Sequence, residues 1–299
     1  MLPYVLITPA RNEEENIGNT IRSVISQSAL PLKWVIVSDG STDRTDSIVK
    51  EFASEHPWID FARMPERRDR QFAAKVHCFN SGYRRVAGLP YEIIGNLDAD
   101  ITVEPDHFAL LLARFEDDPR LGVAGTPYGE KTSDRYNYRY ANIEHVSGAC
   151  QLFRKECFEE IGGYLPIKGG GIDWTAVTTA RMKGWKTRTF TERTCLHHRP
   201  IGTAEAGRLE AWFRRGKKDY YLGGHPLWEI FRSFYQMKSK PYVLGGLSLL
   251  LGYAWGGISQ MDRPIPKELV RFHRMEQMQR LKNILLGRSR PVEQVEGRM

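Results

Sequence analysis

The sequence predicts an α/β fold in which a mixed, mostly parallel sheet is flanked by helices. Three observations carry this. Short apolar, β-rich runs recur at residues 4–8, 34–38, 59–62 and 91–97; the stretches between them place apolar residues at helical spacing; and each strong run ends in a cluster of polar, turn-forming residues. Strands alternating with helices at this interval build right-handed βαβ units and therefore parallel pairs. Ligands of such sheets bind beyond the carboxyl ends of the strands. Residues 9–13, Asp39, and the pair Asp98 and Asp100 all fall at those ends.

The first run, Tyr4-Val5-Leu6-Ile7-Thr8, passes through Pro9-Ala10-Arg11-Asn12 into Glu13-Glu14-Glu15. Asn12 with Glu15 has the form of a capping box, and the acids suit the positive end of a helix. Ile17, Ile21, Val24 and Ile25 supply its apolar face. The second run ends in Asp39-Gly40-Ser41-Thr42-Asp43, where glycine makes the turn and Ser41 or Thr42 caps a helix buried through Ile48, Val49 and Phe52. A weak third run leads into the charged loop Glu66-Arg67-Arg68-Asp69-Arg70, and residues 73–86 read as a helix carrying Lys75, Asn80 and Gly82.

The fourth run ends in Asp98-Ala99-Asp100. Alternation along a strand points both carboxylates the same way, off the end of the sheet. Two acids there repel each other unless a positive group lies between them. A divalent cation that also holds phosphates fits, because such ions keep one or two protein carboxylates and fill their other positions with water and substrate. Taken alone, the pattern reads equally as a turn cap beside a solvated acid.

Composition excludes disordered and fibrous classes, since 41% of the 299 residues are hydrophobic. Cys78, Cys150, Cys157 and Cys195 show neither metal-clip nor disulfide spacing, so a reducing compartment is expected. The chain enters its first strand directly after Met1-Leu2-Pro3, and no secretion signal is expected. Charge is unevenly spread: residues 1–180 carry 20 Lys and Arg against 26 Asp and Glu, a net −6, whereas residues 181–299 carry 23 against 10, a net +13. A basic half of this kind meets nucleic acid, anionic lipid or a diphosphate.

Three segments, Val5-Leu6-Ile7-Thr8-Pro9-Ala10-Arg11-Asn12-Glu13, Val35-Ile36-Val37-Ser38-Asp39-Gly40-Ser41-Thr42-Asp43 and Leu97-Asp98-Ala99-Asp100, together resemble the nucleotide-sugar half of family 2 glycosyltransferases. The likeness continues through Val146-Ser147-Gly148-Ala149-Cys150-Gln151-Leu152-Phe153-Arg154, Glu160-Ile161-Gly162-Gly163-Tyr164 and Ile172-Asp173, covering about residues 4–200. It implies a GT-A (Rossmann-like) catalytic domain over 1–205, with a nucleotide-binding half, 1–100, and an acceptor half, 101–205. It further implies that Pro9, Arg11 and Glu13 line the nucleoside pocket and that Asp39 bonds the base. Lys75 approaches the diphosphate or nucleoside, Asp98 faces ribose and metal, and Asp100 is the main ligand of Mn²⁺ or Mg²⁺. Asp173 takes the place of the catalytic base, although Ile172 stands where the family more often has Glu. Read from the residues alone, Asp173 caps a helix over 174–183. The family's metal-completing histidine falls at His197 or His198, beyond a predicted strand at 186–191; His197, in the His-x-Arg position, is the assigned ligand, with surface pairing to acids as the plain alternative. Arg199 and the group Arg214, Arg215, Lys217 and Lys218 suit diphosphate oxygens or a solvated basic face.

The region 206–299 reads as a basic, aromatic, helical and membrane-associating part. Residues 242–258, YVLGGLSLLLGYAWGGI, run without a charge between Lys238 and Lys240 on one side and Arg263, Lys267, Arg271 and Arg274 on the other. The run is shorter than a span and broken by glycines, which predicts an interfacial or partly inserted hairpin on an anionic cytoplasmic leaflet; a glycine-rich helix buried against protein is the alternative. Residues 267–286 look helical, and the polar chain beyond Gly287 is expected to fray. This tail looks like those of bacterial glycosyltransferases that assemble exopolysaccharide or lipopolysaccharide on a lipid carrier. The resemblance therefore implies an inverting transferase, peripheral on the cytoplasmic face of the inner membrane. It takes a nucleotide sugar, UDP-sugar ahead of GDP-sugar, and delivers to a polyprenyl-diphosphate-linked saccharide. A sugar nucleotidyltransferase would need a glycine-rich phosphate loop that residues 8–13 lack. Nucleic acid is not expected as a partner, because no recognition motif accompanies the basic charge. An inactive scaffold is disfavoured by the presence of Asp39, Asp98, Asp100 and Asp173.

Overall fold

A computed structural model describes residues 1–66, 72–130, 143–199 and 207–288. They form two compact units, one running from Met1 to Arg199 and one made of helices between Gly207 and Arg288.

The first unit alternates strands and helices: β1 (Tyr4–Ala10), α1 (Ile17–Ile25), β2 (Lys33–Ser38), α2 (Thr45–Glu55), β3 (Ile59–Arg63), α3 (Phe72–Val86), β4 (Ile93–Leu97), β5 (Ile101–Thr102), α4 (His107–Asp117), β6 (Leu121–Gly125), β7 (Tyr128–Glu130), β8 (Cys150–Arg154), α5 (Lys155–Glu160), α6 (Ile172–Met182), β9 (Lys186–Thr189) and β10 (Cys195–His197). The main sheet runs β3-β2-β1-β4-β8-β6-β9, and only β8 is antiparallel to its neighbours, β4 and β6. The central strands β1 and β4 are largely apolar and almost wholly buried, as in parallel sheets covered on both faces. A small second sheet, β5-β10-β7, clips the chain near residue 196 onto the segment just after Asp100.

Several local expectations are corrected. α1 starts at Ile17 after Asn16, so Asn12 and Glu15 are not its capping box. Asn12 instead adopts a left-handed backbone, φ 53°, which Asn tolerates, and turns its side chain to the loop after β2. Asp173 is not a cap residue either: the N-cap of α6 is Gly171, and Asp173 lies inside the first turn. Gly40 has φ +65°, and a methyl group there would also meet the Glu66 backbone, so the turn after β2 needs glycine twice over.

The packing below the site is aromatic. Phe79 of α3, Phe153 of β8, Phe158 of α5 and Tyr164 meet largely edge to face, with centroids 4.9–5.7 Å apart. The Tyr164 hydroxyl donates to Gln151 Oε1 at 2.7 Å, which ties this cluster to β8. The four cysteines are free and buried.

The second unit contains α7 (Arg208–Tyr221), α8 (Pro226–Gln236), α9 (Tyr242–Ile258) and α10 (Lys267–Leu285). The expected hairpin at 242–258 is one continuous helix. Its small residues do not break it, because they face neighbouring helices: methyl groups at Gly252 or Gly246 would collide with the carbonyls of Phe213 on α7 or Ser233 on α8. What α9 turns outward is apolar, with Val243, Leu244, Leu247, Leu251, Trp255 and Ile258 all exposed. Leu227, Ile230 and Phe234 make a similar exposed stripe on α8. No helix among the described residues is long and apolar enough to cross a membrane. The tail expected to fray lies, from residue 289 on, outside the described residues, as do residues 67–71 of the charged loop.

Candidate active site

Three strand ends of the main sheet deliver polar loops to one edge. The loops after β1 and β2 are stitched together by hydrogen bonds: Thr42 N–H donates to Asn12 Oδ1 at 2.9 Å, Glu13 N–H to Thr45 Oγ1 at 2.7 Å and Glu14 N–H to Asp43 Oδ2 at 3.1 Å. Within this frame Arg11 reaches Asp39, Nη1 to Oδ2 at 3.4 Å. The stitching itself was not legible in the sequence, since bonds between loops some 30 residues apart leave no local pattern.

A single open cleft of about 240 Å³ is lined by Pro9, Arg11, Glu13, Asp39, Lys75, Asp98, Asp100 and His197, together with Ala10, Cys78 and Ala99. A groove of similar size between α1 and α2 is lined by Glu14, Glu15, Glu51, Glu55 and Arg22 and receives none of these residues. Asp173 is not part of the cleft wall. It joins the site through Gly148.

That connection is made atom by atom. Lys75 Nζ pairs with Asp98 Oδ1 at 2.5 Å and donates to the Gly148 carbonyl at 3.4 Å. Asn96 Nδ2 donates to the same two oxygens, at 3.1 and 2.6 Å. Gly148 N–H in turn donates to Asp173 Oδ2 at 3.2 Å. Asn96 was legible in principle: it shares the alternation of Asp98 and Asp100, a polar residue in an otherwise apolar strand. Gly148 carried no such signal.

The two aspartates behave differently. Burial raises Asp98 above the ordinary carboxylate range; Lys75 and Asn96 favour its charged form, while Asp100 opposes it. Burial also pushes Asp173 up, but His145, the backbone N–H groups of Trp174 and Gly148, and Lys75 outweigh it and hold the group below its ordinary value. Asp173 is thus held as an anion at neutral pH. His145 is a further contributor that no sequence pattern flagged. Glu13, close to Asp100, is pushed up from 4.5 to about 7 by burial and by that neighbour, despite its pair with Arg199 at 2.8 Å.

The clip between β5 and β10 sets Ile101 opposite His197. Its Nε2 lies 3.6 Å from Asp100 Oδ2. His197 Nδ1 donates to the Arg199 carbonyl, so in the uncharged tautomer the lone pair is on Nε2. His198 points elsewhere, its Nε2 lying 3.0 Å from Thr102 Oγ1. Among the described residues no group of three His, Cys, Asp or Glu is close enough to hold an ion unaided. His197 and Asp100 approach each other at the cleft while Asp98 is paired with Lys75, so a cation there would draw most of its positions from phosphate and water.

The chain was compared with known proteins. Residues 5–159 match the family model described as Glycosyl transferase family 2. Poly-beta-1,6-N-acetyl-D-glucosamine synthase of Staphylococcus epidermidis is 26% identical over 198 residues, 60% of this chain and 44% of that protein. The chain spans about half the length of the curated relatives it matches. Among solved structures, mannosyltransferase PcManGT of Pyrobaculum calidifontis, in complex with GDP-Man and Mn²⁺, superimposes with a TM-score of 0.59 at 19% identity, covering 96% of this chain and 88% of that one. Residues 1–349 of S. aureus TarS in complex with UDP-GlcNAc give 0.57 at 10% identity, covering 99% and 95%. At these identities the structural likeness establishes the fold, a mostly parallel sheet flanked by helices that glycosyltransferases share.

Proposed function

The chain belongs to glycosyl transferase family 2, and from that membership we propose that this glycosyltransferase moves a sugar, with inversion, from a nucleotide-sugar donor to an acceptor hydroxyl in a cation-dependent reaction. The observation that supports the reading is the hydrogen-bonded path from Asp98 through Asn96 and Gly148 to Asp173, which links an anionic carboxylate to the aspartates that line the cleft.

In this reading Pro9, Arg11 and Glu13 line the nucleoside pocket and Asp39 bonds the base. Asp98, Asp100 and His197 are the residues that would hold Mn²⁺ or Mg²⁺, which when bound supplies Lewis-acid neutralisation of the departing diphosphate. Lys75, already between Asp98 and Gly148, offers its ammonium to the same negative charge. Arg199 stands on Glu13 at the cleft and can exchange that partner for a phosphate oxygen. Asp173 takes the proton of the attacking hydroxyl. One base on the side opposite the leaving group gives a single displacement, hence inversion.

UDP-sugar is the first donor to test and GDP-sugar the second; the solved structures named above hold UDP-GlcNAc and GDP-Man respectively. The acceptor we propose is a saccharide on polyprenyl diphosphate, used in bacterial surface polysaccharide synthesis, in line with the poly-N-acetylglucosamine synthases among the relatives. Such an acceptor is met at a membrane, and the exposed apolar face of α9 supports peripheral attachment to the anionic cytoplasmic face of the inner membrane. A helix of 17 residues is about 25 Å long, short of the roughly 30 Å hydrocarbon core, so α9 lies along the surface.

The test is product identity. Incubated with sugar nucleotide, Mn²⁺ and lipid-linked acceptor, the protein releases nucleoside diphosphate. Release of pyrophosphate in a parallel incubation with nucleoside triphosphate and sugar 1-phosphate would instead identify a nucleotidyltransferase, and no release with any sugar nucleotide would refute the reading.

A further inference from the structure

Asn96 stands two residues before Asp98 on the same face of β4 and is 2% exposed. Its amide orientation is forced. Both acceptors it faces, Asp98 Oδ1 and the Gly148 carbonyl, need a donor, and turning the amide over would bring Oδ1 against both. Its own Oδ1 is buried with no hydrogen-bond partner among the described residues. A residue kept only for packing has no reason to carry an unmet buried oxygen. The donor end is the useful one.

The residue it grips is equally constrained. A Cβ on Gly148 would lie 2.9 Å from Asp173 Cβ and 3.3 Å from its Cγ, so the approach that lets Gly148 N–H reach Asp173 requires glycine. Gly148 thus faces Asp98 with its carbonyl and Asp173 with its N–H. Lys75 contacts the same two oxygens as Asp98's partner, but its side chain is 34% exposed in the cleft wall. A diphosphate in the cleft competes for that ammonium, whereas Asn96 is beyond reach of any ligand.

We propose that Asn96 is a positioning residue. Through the Gly148 backbone it fixes the separation between Asp98, which faces the donor, and Asp173, which receives the acceptor proton, and it keeps that separation when Lys75 turns to the diphosphate. The proposal rests on the glycosyltransferase reading above, with Asp173 as the base.

The experiment compares wild type with Asn96→Ala, Asn96→Ser, Gly148→Ala and the double variant Asn96→Ala/Gly148→Ala. Ile94→Val, a buried packing change in the same strand, is the control. Melting temperature, kcat and donor KM are measured for each, together with the Mn²⁺ concentration that half-saturates the rise in melting temperature. We expect Asn96→Ala and Gly148→Ala each to lower kcat roughly 30- to 100-fold, the scale of a sub-ångström to 1 Å misplacement of reacting groups. Donor KM stays within about threefold. Asn96→Ser, which keeps one donor, falls between, and Asn96→Ala weakens Mn²⁺ binding. The double variant falls to about the level of the worse single one, because both changes cut one path. Ile94→Val keeps kcat at matched or greater loss of melting temperature.

A folded Asn96→Ala with wild-type kcat, rate losses that merely track melting temperature as in the control, or losses that multiply in the double variant would each overturn the proposal. Should Asn96→Ala not fold, Asn96→Ser and Gly148→Ala carry the same comparison. A wild type that turns over no sugar nucleotide removes the underlying reading, and the proposal with it.

Discussion

His197 presents Nε2 to the Asp100 carboxylate at 3.6 Å while its Nδ1 donates to the Arg199 carbonyl. The outer hydrogen bond fixes the tautomer that leaves a ligating lone pair facing the cleft. His197→Ala is therefore expected to weaken Mn²⁺ binding about 10- to 100-fold, the range seen when metal ligation is disturbed at this level. His198→Ala, which loses the contact to Thr102, should leave it nearly unchanged. The concentration dependence of the Mn²⁺-induced rise in melting temperature measures both. Equal losses in the two variants would show that the ring at 197 has no special place.

Asp173 is expected to act on the chemical step and not on binding. Asp173→Asn keeps an oxygen that can accept from Gly148 N–H, so the fold and the donor pocket are retained. Rate should fall by about 10²- to 10⁴-fold, as for loss of a general base, with donor affinity preserved. Steady-state kinetics beside a binding titration separates the two. A variant that keeps its rate assigns the proton to another group.

Glu13 makes a pH signature. The residue is 8% exposed in the fold, and its carboxyl is pushed up from 4.5 to about 7. An acid raised on folding binds more protons in the native state between those values, so its contribution to stability is largest below about 4.5 and declines as pH rises to about 7, then levels. Denaturant unfolding of the cation-free protein should show this decline, and Glu13→Gln should lack it. The two profiles diverge by roughly 3 kcal/mol across the window. Parallel profiles would mean that Glu13 ionises normally.

The outward face of α9 predicts binding to anionic vesicles that weakens with salt. Lys238 and Lys240 precede the helix and are exposed, as are Lys267 and Arg271 after it. At about 1 kcal/mol per base, reversing Lys238 and Lys240 to Glu should lower partitioning at least tenfold, and Leu247→Glu with Leu251→Glu should abolish it. Flotation with neutral and anionic vesicles at low and high salt reads this directly. Vesicle-independent dimerisation through the same face would contradict it.

Much of the first unit was legible because its signals are local. Apolar runs such as residues 4–8 and 34–38 read as buried strands whose polar ends lie at the sheet edge, which put Asp39 with Asp98 and Asp100, and alternation turned the latter two the same way. Reversed pairing of β8 was not legible, since an apolar run says nothing of direction. Asn12 shows a different limit. Its spacing to Glu15 fits a helix cap, yet a loop 30 residues later offered Thr42 N–H, and a left-handed backbone turned the side chain there. In α9 the glycines read as breakers because their partners on α7 and α8 were invisible in one dimension; once packed, the same residues permit close helix contact. Gly148 was hidden for a related reason, as its importance lies in two backbone bonds and a missing Cβ.

The central claim is that Asp98 and Asp100 hold a cation that grips the diphosphate of the donor. Calorimetric titration of UDP into wild type and Asp100→Asn, each with and without Mn²⁺, tests it most directly. The account predicts that Mn²⁺ tightens UDP binding to wild type by about tenfold or more, one hydrogen-bonded charge contact or better, and that the gain disappears in Asp100→Asn. Binding of UDP that is indifferent to Mn²⁺, or a gain that survives the substitution, would contradict it.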